Sequence, residues 1–251
     1  MKIFTSLSQW QNFRETLSDG PVGFVPTMGA LHHGHLSLVK ASREDNAFTV
    51  VSVFVNPKQF DDGGDFEAYP SDHKADIDRL ESAGVDAVLM PDTAQIYTDD
   101  YRFKVTESEF SQRLCGAHRQ GHFDGVLTVV MRLLNLVRPN NAYFGEKDYQ
   151  QLQLIRDMVA AFFMQVNIVA CATVREADGL AMSSRNQHLD EKDRAKAAYL
   201  HAALKQSRTA DEARQALTGQ GFDVDYVEDI KNRRLVAARL GTTRLIDNVE
   251  I

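Results

Sequence analysis

The sequence predicts an α/β protein: a parallel sheet with helices on both faces, followed by a small C-terminal α+β domain. Three observations carry that prediction. Short β-branched runs alternate with helical patterns through the first two thirds of the chain, the order that builds a parallel sheet from strand–helix–strand units. After about residue 175 the order changes to a polar loop, a helical run and then consecutive strand-like segments. The 251 residues are 43% hydrophobic and 25% charged, ordinary globular values. A chain of that length buries about three quarters of its extended surface without needing a disulfide or a structural metal.

The strand candidates are "VGFV" (22–25), "FTVVSVFV" (48–55), "DAVLM" (86–90), "NAYF" (141–144) and "VNIVACA" (166–172). Between them "HLSLVKASRED" and "DHKADIDRLESAG" carry helical spacing, the second closing on Gly84 as a C-terminal cap. "DGVLTVVMRLLNLV" is apolar nearly all round, which predicts a buried helix. "DYQQLQLIRDMVAAFF" predicts a long helix directly before the last of these strands. Beyond the polar loop "READGLAMSSRNQHLD" come a helical run over 190–206, a short helix over 209–217, and the strand-like "FDVDYVEDI", "RLVAARL" and "TTRLIDNVEI". The predicted domains are 1–175 and 176–251, with the boundary falling inside 175–190.

Composition narrows the function. A net charge of −7 gives no support to broad nucleic-acid or anionic-membrane binding. No stretch approaches 18 consecutive apolar residues and the N-terminus has no signal-type apolar run, so the expected location is the cytoplasm. Cys115 and Cys171 lack metal-ligand spacing and read as reduced thiols, Cys171 as a small core residue.

Five segments carry residues suited to chemistry. "TMGALHHGHLSLV" (27–39) puts three histidines where a strand hands over to a helix. Gly29 and Gly34 allow close backbone approach, and His32 and His35 share one side of a first helical turn. A helix N-terminus suits a phosphate. A metal site and a plain polar turn are the open alternatives, the metal lacking Cys or carboxylate partners nearby. In "VFVNPKQF" Gln59 offers donor and acceptor at a strand's carboxyl end. "FGEKDYQQL" brings Lys147 as a mobile point charge, while Asp148 with Gln151 also fits a capping box that does no chemistry; Gln150 and Gln151 face different ways on a helix. "AMSSRN" (181–186) offers two hydroxyls and Arg185, a set that clamps polyphosphate or makes an ordinary polar linker. "HRQGHFDGV" (118–126) gathers His118, Arg119 and His122 as a substrate-facing loop or a surface turn.

The order of these segments is far more specific than any one of them. "PTMGALHHGH", "FVNPKQF", "RQGHFDGV", "YFGEKDYQQL", "READGLAMSSRN" and "TTRLIDN" together closely resemble the pantothenate synthetase (pantoate–β-alanine ligase) family, over nearly the whole chain. The first also resembles the His-x-Gly-His signature of the wider nucleotidylyltransferase superfamily. The resemblance implies a Rossmann-like ATP- and pantoate-binding domain with a C-terminal lid, a homodimer, and magnesium accompanying ATP without an assigned protein ligand. It implies two steps: pantoate attacks ATP to give pantoyl adenylate and pyrophosphate, and β-alanine then displaces AMP. It further implies ATP contacts at Met28, Gly29, Ala30, Leu31, His32, His33, Gly34 and His35, at Gly145, Glu146, Lys147 and Asp148, and at Val174, Met182, Ser183, Ser184 and Arg185. Asp148 would meet the ribose hydroxyls, Gln59 both pantoate and β-alanine, Gln151 pantoate, and Arg119 is a further substrate candidate.

Both first-step reactants are anions, so the chemistry calls for oriented cations and backbone amides. His35, His32, Lys147 and Arg185 are the catalytic candidates, with His33 facing elsewhere. Two positions depart from the family pattern. Gln120 replaces a proline, which predicts a more mobile loop at Arg119. Ser71 replaces an arginine and is expected to cap the following helix. A nucleotidylyltransferase that stops at adenylation and a nucleotide-sensing module without chemistry are the competing functions.

Overall fold

In the computed structural model, which describes residues 1–17, 20–60, 66–67 and 69–251, six strands form one all-parallel sheet. They are β1 (Lys2–Phe4), β2 (Val22–Thr27), β3 (Phe48–Val53), β4 (Ala87–Leu89), β5 (Asn141–Gly145) and β6 (Asn167–Cys171), in spatial order β1-β4-β3-β2-β5-β6. Central strands covered on both faces read as continuous apolar runs: Phe24, Val25, Val50 and Val51 are fully buried. From β2 the chain builds outward through β3 and β4, then returns to β2's other side with β5 and β6. The strand order therefore reverses between β2 and β5, and such a sheet opens its ligand crevice there, beyond the carboxyl ends.

The helices cover the two faces as predicted. They are α1 (Leu7–Arg14), α2 (His33–Asp45), α3 (His73–Ser82), α4 (His122–Val137) and α5 (Tyr149–Ala161). Eleven of the sixteen α4 residues are buried, so α4 is the inner helix of its layer. It passes so close to the turn after β3 that a Cβ at Gly125 would lie 2.1 Å from the Lys58 carbonyl oxygen; only glycine permits that approach. Helix α3 closes at Gly84 with φ +72°, the conformation that ends a helix.

The chain beyond 175 adds α6 (Glu191–Ala197), α7 (Tyr199–Gln206), α8 (Ala210–Gly219) and an antiparallel sheet of β7 (Asp223–Ile230), β8 (Arg233–Leu240) and β9 (Thr243–Glu250) in that order. Period-two alternation gives this sheet two apolar faces. Val236 and Ala238 join Leu200, Leu204 and Leu217 in a separate cluster, whereas Leu235 and Ala237 join the main core with Tyr226. The second face presses β9 against the segment after β5.

Three local expectations are corrected. Ser71 does not cap α3; Asp72 does, its carboxylate accepting from the Ala75 N–H at 3.0 Å. Cys171 is only partly buried because β6 is an edge strand; the other thiol, Cys115, is buried. The 190–206 run forms two helices, α6 and α7, rather than one. Among the described residues no helix is long and apolar enough to cross a membrane.

Candidate active site

The turn that leaves β2 is built around a carboxylate. Gly29 (φ +80°) and Ala30 (φ +49°) reverse the chain. The Ala30 and Leu31 N–H groups donate to the two oxygens of Asp76 at 3.0 and 2.8 Å. Asp76 projects from α3 and is 1% exposed. A Cβ at Gly29 would lie 2.8 Å from its Oδ2, so the tight wrap requires glycine. Asp76→Ala orphans the buried Leu31 N–H and the part-buried Ala30 N–H and is expected to destabilise the fold by roughly 2–4 kcal/mol. A denaturant midpoint shift at unchanged m-value checks this, and an unchanged midpoint would remove Asp76 from the turn's support.

Next in the chain, His32 and His35 cap α2 reciprocally. The Gly34 N–H donates to His32 Nδ1 at 3.1 Å, and the His32 N–H donates to His35 Nδ1 at 3.3 Å. The two rings lie 4.1 Å apart. Since each Nδ1 accepts, the ring proton of each neutral imidazole sits on Nε2. Burial, helped by the Lys147 charge, lowers the His32 pKa to about 4. Burial, then His32 and Lys147, lowers that of His35 to about 3. The expectation of cations is therefore corrected at this pair: near neutral pH they are uncharged N–H donors at a helix N-terminus. His33 is exposed on the turn.

Across the crevice, β5 ends at Gly145 and a short turn, Glu146–Asp148, leads into α5. The Asp148 side chain makes no cap hydrogen bond, so the capping-box alternative is not realised. Lys147 is mostly buried, and its Nζ lies 3.9 Å from Asp148 Oδ2. Glu146 instead pairs with Arg233 at 3.1 Å. The two glutamines separate as helical geometry requires. Gln150 is buried, donating to the Phe110 and Arg113 carbonyls and accepting from the Cys115 N–H. Gln151 faces the cleft.

Gln59 is held in one orientation. Its Oε1 accepts from Asn56 Nδ2 at 3.0 Å, and Asn56 Oδ1 accepts from the Tyr97 hydroxyl at 2.6 Å. Arg119 is also anchored, reaching His122 Nε2 at 3.1 Å and the Gln59 carbonyl at 3.3 Å. In the polar loop, Ser184 is buried with its Oγ 3.4 Å from the Tyr69 hydroxyl. The Arg185 guanidinium stands 5.7 Å over the Tyr69 ring, within cation–π range. The loop is pinned to the strand side by the Met182 N–H donating to the Val174 carbonyl at 3.0 Å.

These groups surround one cleft. A cavity of about 240 Å³ is lined by Met28, His32, Gly34, His35, Gln59, Tyr69, Gly145, Val174, Met182 and Ser184. A second cavity of about 710 Å³ adjoins it, and Arg119, His122, Lys147, Asp148, Gln151, Ser183 and Arg185 line both. Gly29, Ala30, Leu31, His33 and Glu146 are not among the lining residues; the amides of Ala30 and Leu31 are already engaged by Asp76. Tyr69 and Asn248 are not among the site candidates named from the sequence, although Asn248 closes the motif "TTRLIDN" and Tyr69 stands two residues before Ser71; the folded contacts bring both to the site. Among the described residues, no group of three or more His, Cys, Asp or Glu side chains could hold a metal ion.

Comparisons with known proteins agree along the whole chain. A family model described as pantoate-β-alanine ligase matches residues 2–250. The pantothenate synthetase of Bdellovibrio bacteriovorus is 54% identical over 250 residues, covering 100% of this chain and 99% of that protein. That of Legionella pneumophila is 47% identical, covering 99% of each. The crystal structure of the pantoate-β-alanine ligase from Francisella tularensis, complexed with β-γ ATP and β-alanine, superposes with a TM-score of 0.95 at 39% identity, over 100% of this chain and 97% of that one. The crystal structure of the pantothenate synthetase from Thermus thermophilus gives 0.93 at 40% identity, over 100% and 99%.

Proposed function

Because the chain belongs to the pantoate-β-alanine ligase family, we propose that it joins pantoate to β-alanine with ATP through a pantoyl-adenylate intermediate. The pantoate carboxylate oxygen bonds to the α-phosphorus, and the bond to the pyrophosphate oxygen breaks. The β-alanine nitrogen then bonds to the acyl carbon, the acyl–O bond breaks, AMP leaves, and the amine gives up a proton. The observation that carries this reading is the cleft at the strand-order switch, which His32, His35, Lys147, Gln59 and Gln151 line together.

In this reading the Nε2–H groups of His32 and His35, the Lys147 ammonium and the Arg185 guanidinium take the phosphate oxygens, stabilising charge that builds as pyrophosphate departs. Met28, Gly34, Gly145, Val174, Met182, Ser183 and Ser184 wall in the nucleotide, and Asp148 accepts from the ribose hydroxyls. Gln59, fixed by Asn56 at Oε1 and donating one Nε2–H to Met28 Sδ at 3.0 Å, presents its other Nε2–H to the substrate oxygens, with Gln151 holding pantoate and Arg119 lending charge nearby. Magnesium accompanying ATP would further neutralise the triphosphate, with no protein ligand assigned to it. No enzyme nucleophile is needed, because the anhydride itself carries a good leaving group. Its enclosure slows hydrolysis, and the bound amine gains proximity. The protein acts as a homodimer in the cytoplasm.

The test is isotope exchange between ATP and pyrophosphate with pantoate present and β-alanine absent. Pantoate-dependent exchange is expected. A folded, ATP-binding preparation that shows none would overturn the adenylate reading, and exchange without any pantothenate formed on adding β-alanine would favour an adenylyltransferase.

A further inference from the structure

The closing motif Thr242–Asn248 has no role in the chemistry above, yet its last residue reaches the turn that carries Lys147. Asn248 lies on β9 and is 4% exposed. Its Nδ2 donates to the Glu146 carbonyl at 2.8 Å and to the Lys147 carbonyl at 3.1 Å. Its Oδ1 accepts from Arg233 Nη1 at 2.7 Å. Its backbone N–H donates to the Asp247 carboxylate at 2.8 Å, which in turn holds Arg175 at 2.7 and 2.9 Å. All of its side-chain polar groups are engaged, and its own place is fixed.

The two carbonyls it grips belong to the peptide planes on either side of the Lys147 Cα. One amide group holding both planes fixes the backbone dihedrals of Lys147, and with them the direction in which its side chain leaves the chain. The turn has little else to do this. Asp148 supplies no cap hydrogen bond, and the segment is a single short turn between strand and helix. Arg233 adds a second tie, pairing with Glu146 at 3.1 Å while lying 4.9 Å over the Tyr149 ring.

We propose that Asn248 is a positioning residue for Lys147, so that the C-terminal sheet sets the geometry of a phosphate-binding group on the other domain. The proposal rests on the reading that Lys147 meets the ATP phosphates. Asn248→Asp keeps size and the acceptor for Arg233 but loses both donors, and sets oxygen against two carbonyl oxygens. It is expected to slow pantoate-dependent ATP–pyrophosphate exchange at least tenfold.

The decisive readout is a double-mutant cycle with Lys147→Ala. If Asn248 acts through Lys147, the double variant is within about threefold of Lys147→Ala alone, because nothing is left to position. Losses that multiply, or an Asn248→Asp protein as active as the parent, overturn the proposal. Asn248→Ala is run in parallel, and scanning calorimetry identifies which variants unfold cooperatively. If neither folds, Asn248 serves folding alone and the proposal fails. The same four proteins are titrated with the magnesium complex of the β,γ-imido analogue of ATP. A parent that binds the analogue but exchanges no pyrophosphate sinks the ligase reading, while the cycle in Kd still decides the role of Asn248. A parent affinity indifferent to Lys147 in that case overturns both.

Discussion

Lys147→Ala is expected to lower the single-turnover rate of adenylate formation about 100-fold, a loss of about 3 kcal/mol of transition-state stabilisation. The size follows from where the charge sits. Lys147 is mostly buried, its nearest carboxylate is Asp148 at 3.9 Å, and it lines both parts of the cleft. A carboxylate attacking a triphosphate brings anion to anion, and an ammonium fixed in a partly dry cleft acts through a lower dielectric than water. A flexible lysine left in solvent would be worth far less. The effect belongs in the rate constant more than in KM, since charge on the leaving pyrophosphate is greatest at the transition state. Rapid-quench measurement of pyrophosphate release at saturating ATP and pantoate checks it. A rate within threefold of the parent would remove Lys147 from the charge-stabilising role.

His35→Ala should cost a similar factor, about 100-fold, for a different reason. It deletes a neutral N–H donor and the acceptor for the His32 N–H, so both the donor and the cap of α2 are damaged. The pH dependence separates this from a charged-histidine role. With pKa values lowered to about 4 and about 3, neither imidazole titrates between pH 5.5 and 8, and the adenylation rate is expected to show no limb near 6.5 from this pair. The stability consequence has a definite sign. Between an unfolded pKa near 6.5 and these folded values, the unfolded chain binds more protons. The stability the neutral pair contributes is therefore complete above about pH 6.5 and is lost as pH falls toward about 4 and below. NMR titration of the two Nε2 resonances reads the pair directly, and a midpoint near 6.5 for either ring would overturn the neutral-donor assignment.

The sheet and the larger helices were legible because their signals are local and periodic. The run 48–53 is apolar at every position but two, and α4 is apolar nearly all round. β1 was not legible, since Lys2–Phe4 is too short to show alternation and exists through its pairing with β4. At the site, residue types and the strand-to-helix setting were legible, but protonation was not. Whether a histidine is a cation depends on burial and on what its Nδ1 accepts, and neither is written in "HHGH". The caps that the sequence offered and the fold does not use have the same origin. Asp148 and Gln151 have capping-box spacing, yet Asp148 sits at φ −92°, ψ 58° and its side chain turns elsewhere. Ser71 lost to the next residue, Asp72, by one position. The grip of Asn248 on Glu146 and Lys147 spans about a hundred residues, beyond the reach of any local pattern.

The carboxylate under the β2 turn bears on how this cleft could be blocked. Asp76 already occupies the amides of Ala30 and Leu31, so the turn is braced from within the fold and those two donors are taken. An inhibitor with an extra acidic group aimed at that turn would find the Ala30 and Leu31 amides already engaged. A compound offering uncharged acceptors to the His32 and His35 Nε2–H groups would find a surface already set, with little ordering cost on binding.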